Sequence, residues 1–180
     1  QGQTWKRFAF DKLRGLEIAS WDIAADGKGH LLMTMSGNWK YLEAGTKSDI
    51  FIMRSSDNGE TWSELQRIRA PVDRETNGAF SSVTLDPQGT AVLAWQDWKG
   101  IRPNVYLSYS DNYGETWSDP APVGRLGIDR LGLDYRADVS LRSANHRYYL
   151  VALRYNDDSL KKTETAVLYT FTKDELVQRV

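Results

Sequence analysis

Ser55-Ser56-Asp57-Asn58-Gly59-Glu60-Thr61-Trp62 recurs as Ser110-Asp111-Asn112-Tyr113-Gly114-Glu115-Thr116-Trp117, and Gly2-Gln3-Thr4-Trp5 carries the tail of the same phrase. Trp5 and Trp62 stand 57 residues apart, and Trp62 and Trp117 stand 55 apart. A fixed period of that size predicts stacked supersecondary units. Each full copy follows an apolar, β-branched and aromatic run, at 49–55 and at 104–110, which reads as a strand. The glycine that follows takes positive φ at little cost, and the Ser, Asp and Asn side chains bond the turn's own N–H groups. Thr and Trp are expected to open the return strand, with the indole covering the turn. The phrase encodes a self-capped β-hairpin.

A second pattern precedes each copy. Residues 23–33 and 83–93 share one layout, strand, tight turn, strand, and 139–150 form a third version followed by a strand at 165–171. Each unit thus holds about four short strands, which is one propeller blade. The expected fold is all-β, about three blades of four antiparallel strands in a single segment 1–180, with approximate repeats 1–62, 63–117 and 118–180.

The composition, 41% hydrophobic and 12% aromatic over 180 residues, suffices for a sizeable core. A formal charge of −1 gives no basic field for nucleic acid, and no apolar run approaches the length of a membrane span. With no Cys, disulfides, thiol catalysis and Cys-ligated metals are excluded. There is no phosphate-binding loop, HExxH, G-x-S-x-G or EF-hand phrase, so neither a cofactor nor a metal is expected. His30 and His146 occupy matching turn positions in separate units, and read as turn residues rather than a metal pair. The chain opens inside a repeat without a signal peptide, and a preceding segment is expected.

The repeated phrase resembles the sialidase-type Asp-box (BNR) repeat, S-x-D-x-G-x-T-W. Ser55, Asp57, Gly59, Thr61 and Trp62 match every defined position. In the second copy Ser110, Gly114, Thr116 and Trp117 match, while Asn112 stands at the Asp position. Asn still accepts the turn's hydrogen bonds, so the hairpin is expected in both copies. The resemblance implies a six-bladed ring, of which three blades are half. It also implies that the Asp boxes lie on the periphery, away from any active site, so these ten residues are read as fold devices.

Ligand contacts are therefore expected on the opposite rim. The starts of the inner strands offer Trp21 and Asp22, then Phe80, Ser81 and Ser82, then Tyr135, Arg136 and Asp138. Loops after the second strands add Asn38, Trp39, Lys40 and Tyr41, then Asp97, Trp98, Lys99 and Arg102, then Arg154, Tyr155, Asn156, Asp157 and Asp158. Rings, carboxylates and cations together suit sugars, which stack and hydrogen-bond; the alternative is ordinary polar loops, with Trp39 or Trp98 packed between blades. A sialidase-like mechanism needs an arginine clamp, an acid, and a Tyr nucleophile activated by Glu. Arg136, Asp22, Asp97 and Tyr135 are the catalytic candidates, and Trp39, Trp98, Arg102 and Arg154 the ligand-binding ones. The family's Arg-Ile-Pro signature is missing; Ile101-Arg102-Pro103 holds the same residues in another order.

Two readings stay open. One is a noncatalytic Asp-box propeller subunit or fragment binding carbohydrate or protein through its rim. The other is part of a sialidase-like exo-glycosidase whose site is completed by blades outside this chain. Both imply an extracellular or periplasmic location. Both also leave apolar sheet faces at the two ends of the arc, to be covered by a second copy or by a larger parent chain.

Overall fold

The computed structural model describes residues 10–39, 48–68, 77–99, 102–122, 139–158 and 161–178. Among these residues, eleven strands form three antiparallel meanders. Blade 1 holds β1 (Leu16–Ala25), β2 (Leu31–Trp39), β3 (Asp49–Ser55) and β4 (Gln66–Ile68). Blade 2 holds β5 (Asn77–Leu85), β6 (Ala91–Lys99), β7 (Arg102–Ser110) and β8 (Ala121–Pro122). Blade 3 holds, among the described residues, β9 (Ser140–Ala144), β10 (Arg147–Asp158) and β11 (Lys161–Phe171). The all-β, three-blade architecture expected from the repeat is the one observed.

Side chains alternate across each sheet, so every blade has one row facing the blade before it and one facing the blade after. In blade 2, Val83 and Leu93 join Leu32, Ile50 and Ile52 of blade 1 in one apolar cluster. From the other face, Val92, Ala94 and Leu107 join Leu141 and Leu150 of blade 3 in a second. The core is therefore two slabs between three sheets. Blades 1 and 2 approach closely at Gly78, whose N–H donates to Ser48 O at 2.8 Å; an added Cβ there would lie 3.0 Å from Ile50.

Several local details differ from the sequence expectation. Trp62 and Trp117 do not open the return strands, which begin at Gln66 and Ala121. Ser63 and Ser118 intervene, each accepting a backbone N–H of the descending strand on its hydroxyl, from Arg54 at 3.0 Å and Tyr109 at 3.1 Å. Blade 3 turns in two residues, Asn145 and His146, both at positive φ, as a tight hairpin requires. After β11 comes a short helix, α1 (Lys173–Val177), capped reciprocally by Thr172 and Glu175, with Leu176 buried in the second cluster. The inner strands start earlier than expected: β1 begins at Leu16, so Asp22 is its seventh residue and not its first. Bulges between Ile18 and Ser20 in β1 and between Ala79 and Ser82 in β5 carry each strand past its irregular point. Among the described residues, no helix is long and apolar enough to cross a membrane.

Candidate functional site

The two ends of each blade are built differently. At one end lie the repeated turns. The Ser55 hydroxyl donates to Asp57 Oδ1 at 2.7 Å and accepts the Gly59 N–H at 2.9 Å. Asp57 in turn accepts the Thr61 N–H at 2.9 Å and the Thr61 hydroxyl at 2.5 Å, and the Trp62 indole N–H closes on Gly59 O at 3.1 Å. The Thr61 hydroxyl foremost, then the Thr61 N–H and the Ser55 hydroxyl, hold the Asp57 carboxyl down to about 2. The second copy repeats this bond for bond. Ser110 accepts the Gly114 N–H at 2.9 Å, Asn112 Oδ1 accepts the Thr116 N–H at 3.0 Å, and the Trp117 indole reaches Gly114 O at 3.1 Å. Only the last bond changes polarity, since Asn112 Nδ2 donates to Thr116 Oγ1 at 2.9 Å.

Each of these turns also braces the neighbouring turn of its own blade: Asn58 N–H donates to Gly29 O and Tyr113 N–H to Gly89 O, both at 2.9 Å. His30 stacks on Tyr113 with ring centroids 4.1 Å apart and bonds Asp26 at 2.6 Å, so it links blades 1 and 2. Burial pushes the Asp26 carboxyl up, but bonds from the Lys28 N–H and from His30 leave it below its ordinary value. Beneath the second turn, burial and the nearby Asp86 and Asp111 charges push the Tyr148 phenol up to about 12. Thus the turn end spends its polar groups on itself.

The axial edge works by long-range bonds. An innermost strand has no sheet partner on its axial side, so its outward N–H groups need other acceptors. Asp22 Oδ2 accepts the Val83 N–H of blade 2 at 3.2 Å and the Ser82 hydroxyl at 2.6 Å. Ser82 Oγ then accepts the Leu141 N–H of blade 3 at 3.0 Å. Arg142 adds an ion pair to Asp22 at 3.4 Å and donates to Leu141 O at 2.6 Å. The same position in β1 and in β5 therefore receives the N–H that follows that position in the next blade. Phe80, at φ +50°, sits in the β5 bulge just before Ser82, where a bulky residue is strained. Ser81, beside it, accepts the Thr34 hydroxyl of blade 1 at 3.0 Å.

Of the candidates for ligand contact or catalysis, Trp39, Asp97, Trp98, Arg102 and Arg154 fall in the strand halves remote from the repeated turns, on β2, β6, β7 and β10. Asp97 pairs with Gly78 and is buried, and Trp98 pairs with Asn77 and Pro103. Asp22 lies nearer the turns than these, in the relay just described. Tyr135, Arg136, Asp138, Lys40 and Tyr41 lie outside the described residues. The sequence carries one signal for this relay, the shared spacing of Asp22 and Ser82 before the Asp26 and Asp86 turns, and none for Arg142.

No family model matches the sequence, and no curated protein matches it significantly. Solved structures match in fold. A Hadza microbial sialidase superposes with a TM-score of 0.68 at 17% identity, over 86% of this chain and 35% of its own. A family 117 glycoside hydrolase of the marine bacterium Zobellia galactanivorans gives 0.63 at 15% identity, over 94% of this chain and 57% of its own. An α-L-arabinanase of Penicillium chrysogenum gives 0.57 at 19% identity, over 86% of this chain and 46% of its own. The chain is thus a run of β-propeller blades spanning between 35% and 57% of these neighbours' lengths.

Proposed function

We propose that the chain is an Asp-box propeller segment of an exported protein, binding carbohydrate without catalysis through the rim remote from the Trp62 and Trp117 turns. The observation that carries the noncatalytic part is the state of Asp22. Its carboxylate is committed to Ser82, Val83 and Arg142, an arrangement that holds three strands together and leaves an acid poorly placed to protonate a leaving group. Carbohydrate is favoured as the ligand because aromatic and cationic residues collect at the remote strand ends, and because the structural neighbours bear glycosidase titles.

A second reading has its own observation. Asp97 is a carboxyl group only 2% exposed at the remote end of β6, sheltered from bulk water as the acid of such a site would be. In that reading Asp97, Tyr135 and Arg136 belong to a sialidase-like glycoside hydrolase completed by further blades. A glycan array followed by hydrolysis assays on the bound sugars separates the two. Binding without turnover, lost in Trp98→Ala and kept in Asp97→Asn, supports the first; turnover abolished by Asp97→Asn supports the second. Absence of binding to any glycan contradicts both.

A further inference from the structure

We propose that Asn58 is a site of spontaneous covalent modification, deamidation through a cyclic imide, which the Ser55 hydroxyl holds in check while the first repeated turn is closed. The two copies of the phrase differ at this position. Asn58 and Tyr113 both sit in the left-handed region, at φ +58° and +54°, and each is followed by a glycine, at +84° and +78°. Such a turn favours Asn followed by Gly, so the first copy carries the pair that the backbone prefers. That pair is also the one whose side-chain amide cyclises most readily, because glycine places no Cβ in the path of the attacking peptide nitrogen. Tyr113 has no amide, so the second turn keeps the geometry without the chemistry.

In the reaction the Gly59 nitrogen gives its proton to solvent base and bonds Asn58 Cγ, while the Cγ–Nδ2 bond breaks and ammonia leaves. Water then opens the imide at either carbonyl, leaving aspartate or isoaspartate at position 58. Nothing is oxidised or reduced. The carbon is within reach of solvent, because Asn58 is exposed. The nitrogen is not. Gly59 is buried, and its N–H donates to Ser55 Oγ at 2.9 Å. The Asn58 N–H is tied to Gly29 O at 2.9 Å, and the Trp62 indole holds Gly59 O at 3.1 Å. With the backbone fixed on both sides of Asn58, attack starts only from the opened turn, and one hydroxyl controls the nucleophile.

Modification also undoes the turn. Isoaspartate routes the backbone through Cγ and adds one carbon between position 58 and Gly59, so Ser55 and Trp62 no longer meet the Gly59 N–H and O in register. Aspartate at position 58 places a second negative charge beside Asp57, whose carboxyl is held down to about 2. The first hairpin is therefore the one that ages. The chain has one other Asn-Gly pair, Asn77-Gly78. There the glycine N–H donates to Ser48 O at 2.8 Å, so that pair is held by the stacking of blades and not by Ser55.

Incubation of the full chain in mildly alkaline buffer, followed by peptide mapping with mass spectrometry, reads conversion at each asparagine separately. Position 58 should convert about tenfold or more slowly in the folded chain than in urea. Ser55→Ala should raise the folded-state rate about fivefold or more and leave conversion at Asn77 unchanged. Ser110→Ala removes the matching bond to Gly114 from the second turn, and should not change the rate at Asn58. Tyr113→Asn writes the same pair into that turn and should be protected there until Ser110→Ala is added. Equal rates at position 58 in buffer and urea, no conversion there even in urea, equal acceleration by Ser55→Ala and Ser110→Ala, or a Tyr113→Asn turn that converts at its urea rate with Ser110 present would each overturn the proposal.

Discussion

The repeated turns and the axial relay solve the same problem, unsatisfied backbone N–H groups, at opposite reaches of the chain. Within the repeated phrase every side-chain bond spans at most four residues, as from Ser55 to Gly59 or Asp57 to Thr61. Along the axis the bonds connect residues 59 to 120 positions apart, from Leu141 to Ser82 and from Arg142 to Asp22. A turn is consequently complete in each blade, whereas the relay exists only when blades stack. The first makes a hairpin, and the second makes an arc.

The largest expected effect tests the relay. Asp22→Ala leaves the buried Ser82 hydroxyl and the Val83 N–H without their acceptor, and should destabilise the fold by about 2 to 3 kcal/mol in urea unfolding. Ser55→Ala should cost somewhat less, about 1 to 2 kcal/mol, because the buried Gly59 N–H loses its acceptor within one turn. Gly114→Ala combines φ +78° with a Cβ placed 2.7 Å from Leu32 Cδ2, and should cost about 1 to 2 kcal/mol from backbone strain alone. If Ser55→Ala proved more damaging than Asp22→Ala, the arc would depend on its hairpins more than on its axis.

The smallest effect distinguishes the two turns. Asp57, held down to about 2 from an ordinary 3.8, favours the fold fully above that ordinary value, and this contribution is lost as pH falls through the folded value. Asn112 fills the same bonds without titrating. Asp57→Asn should therefore change stability little at pH 7 and remove part of its fall between about pH 4 and pH 2, while Asn112→Asp should add to that fall. Equal acid profiles for all three proteins would show that turn geometry does not set the Asp57 carboxyl.

Legibility in the sequence followed the same division. The hairpins were readable because Ser, Asp or Asn, Gly, Thr and Trp carry their partners within the phrase, and the survival of the second turn with Asn112 follows from oxygen geometry. Even there the bonds of Ser63 and Ser118 are not legible, although both copies end Thr-Trp-Ser, because their partners Arg54 and Tyr109 lie nine residues back, outside the phrase. The capping signature Thr172 to Glu175 was present but subordinate to the strand pattern before it. Asp22 stands out in the sequence as a chemical group and Ser82 shares its spacing before a turn, but nothing local shows that the two bond or that Arg142 joins them. The place of Asp22 along β1 is not legible in the sequence, because a bulge at Ile18 to Ser20 lengthens the strand without altering its apolar pattern.

Amide hydrogen exchange at Val83 tests the central claim, that stacked blades are joined by side chains accepting the axial N–H groups of the next blade. In the native protein the Val83 and Leu141 amides should exchange slowly, and Asp22→Ala should speed Val83 strongly while leaving Gly59 and Gly114 unchanged. A Val83 amide that exchanges at the same rate with and without the Asp22 carboxylate would contradict it.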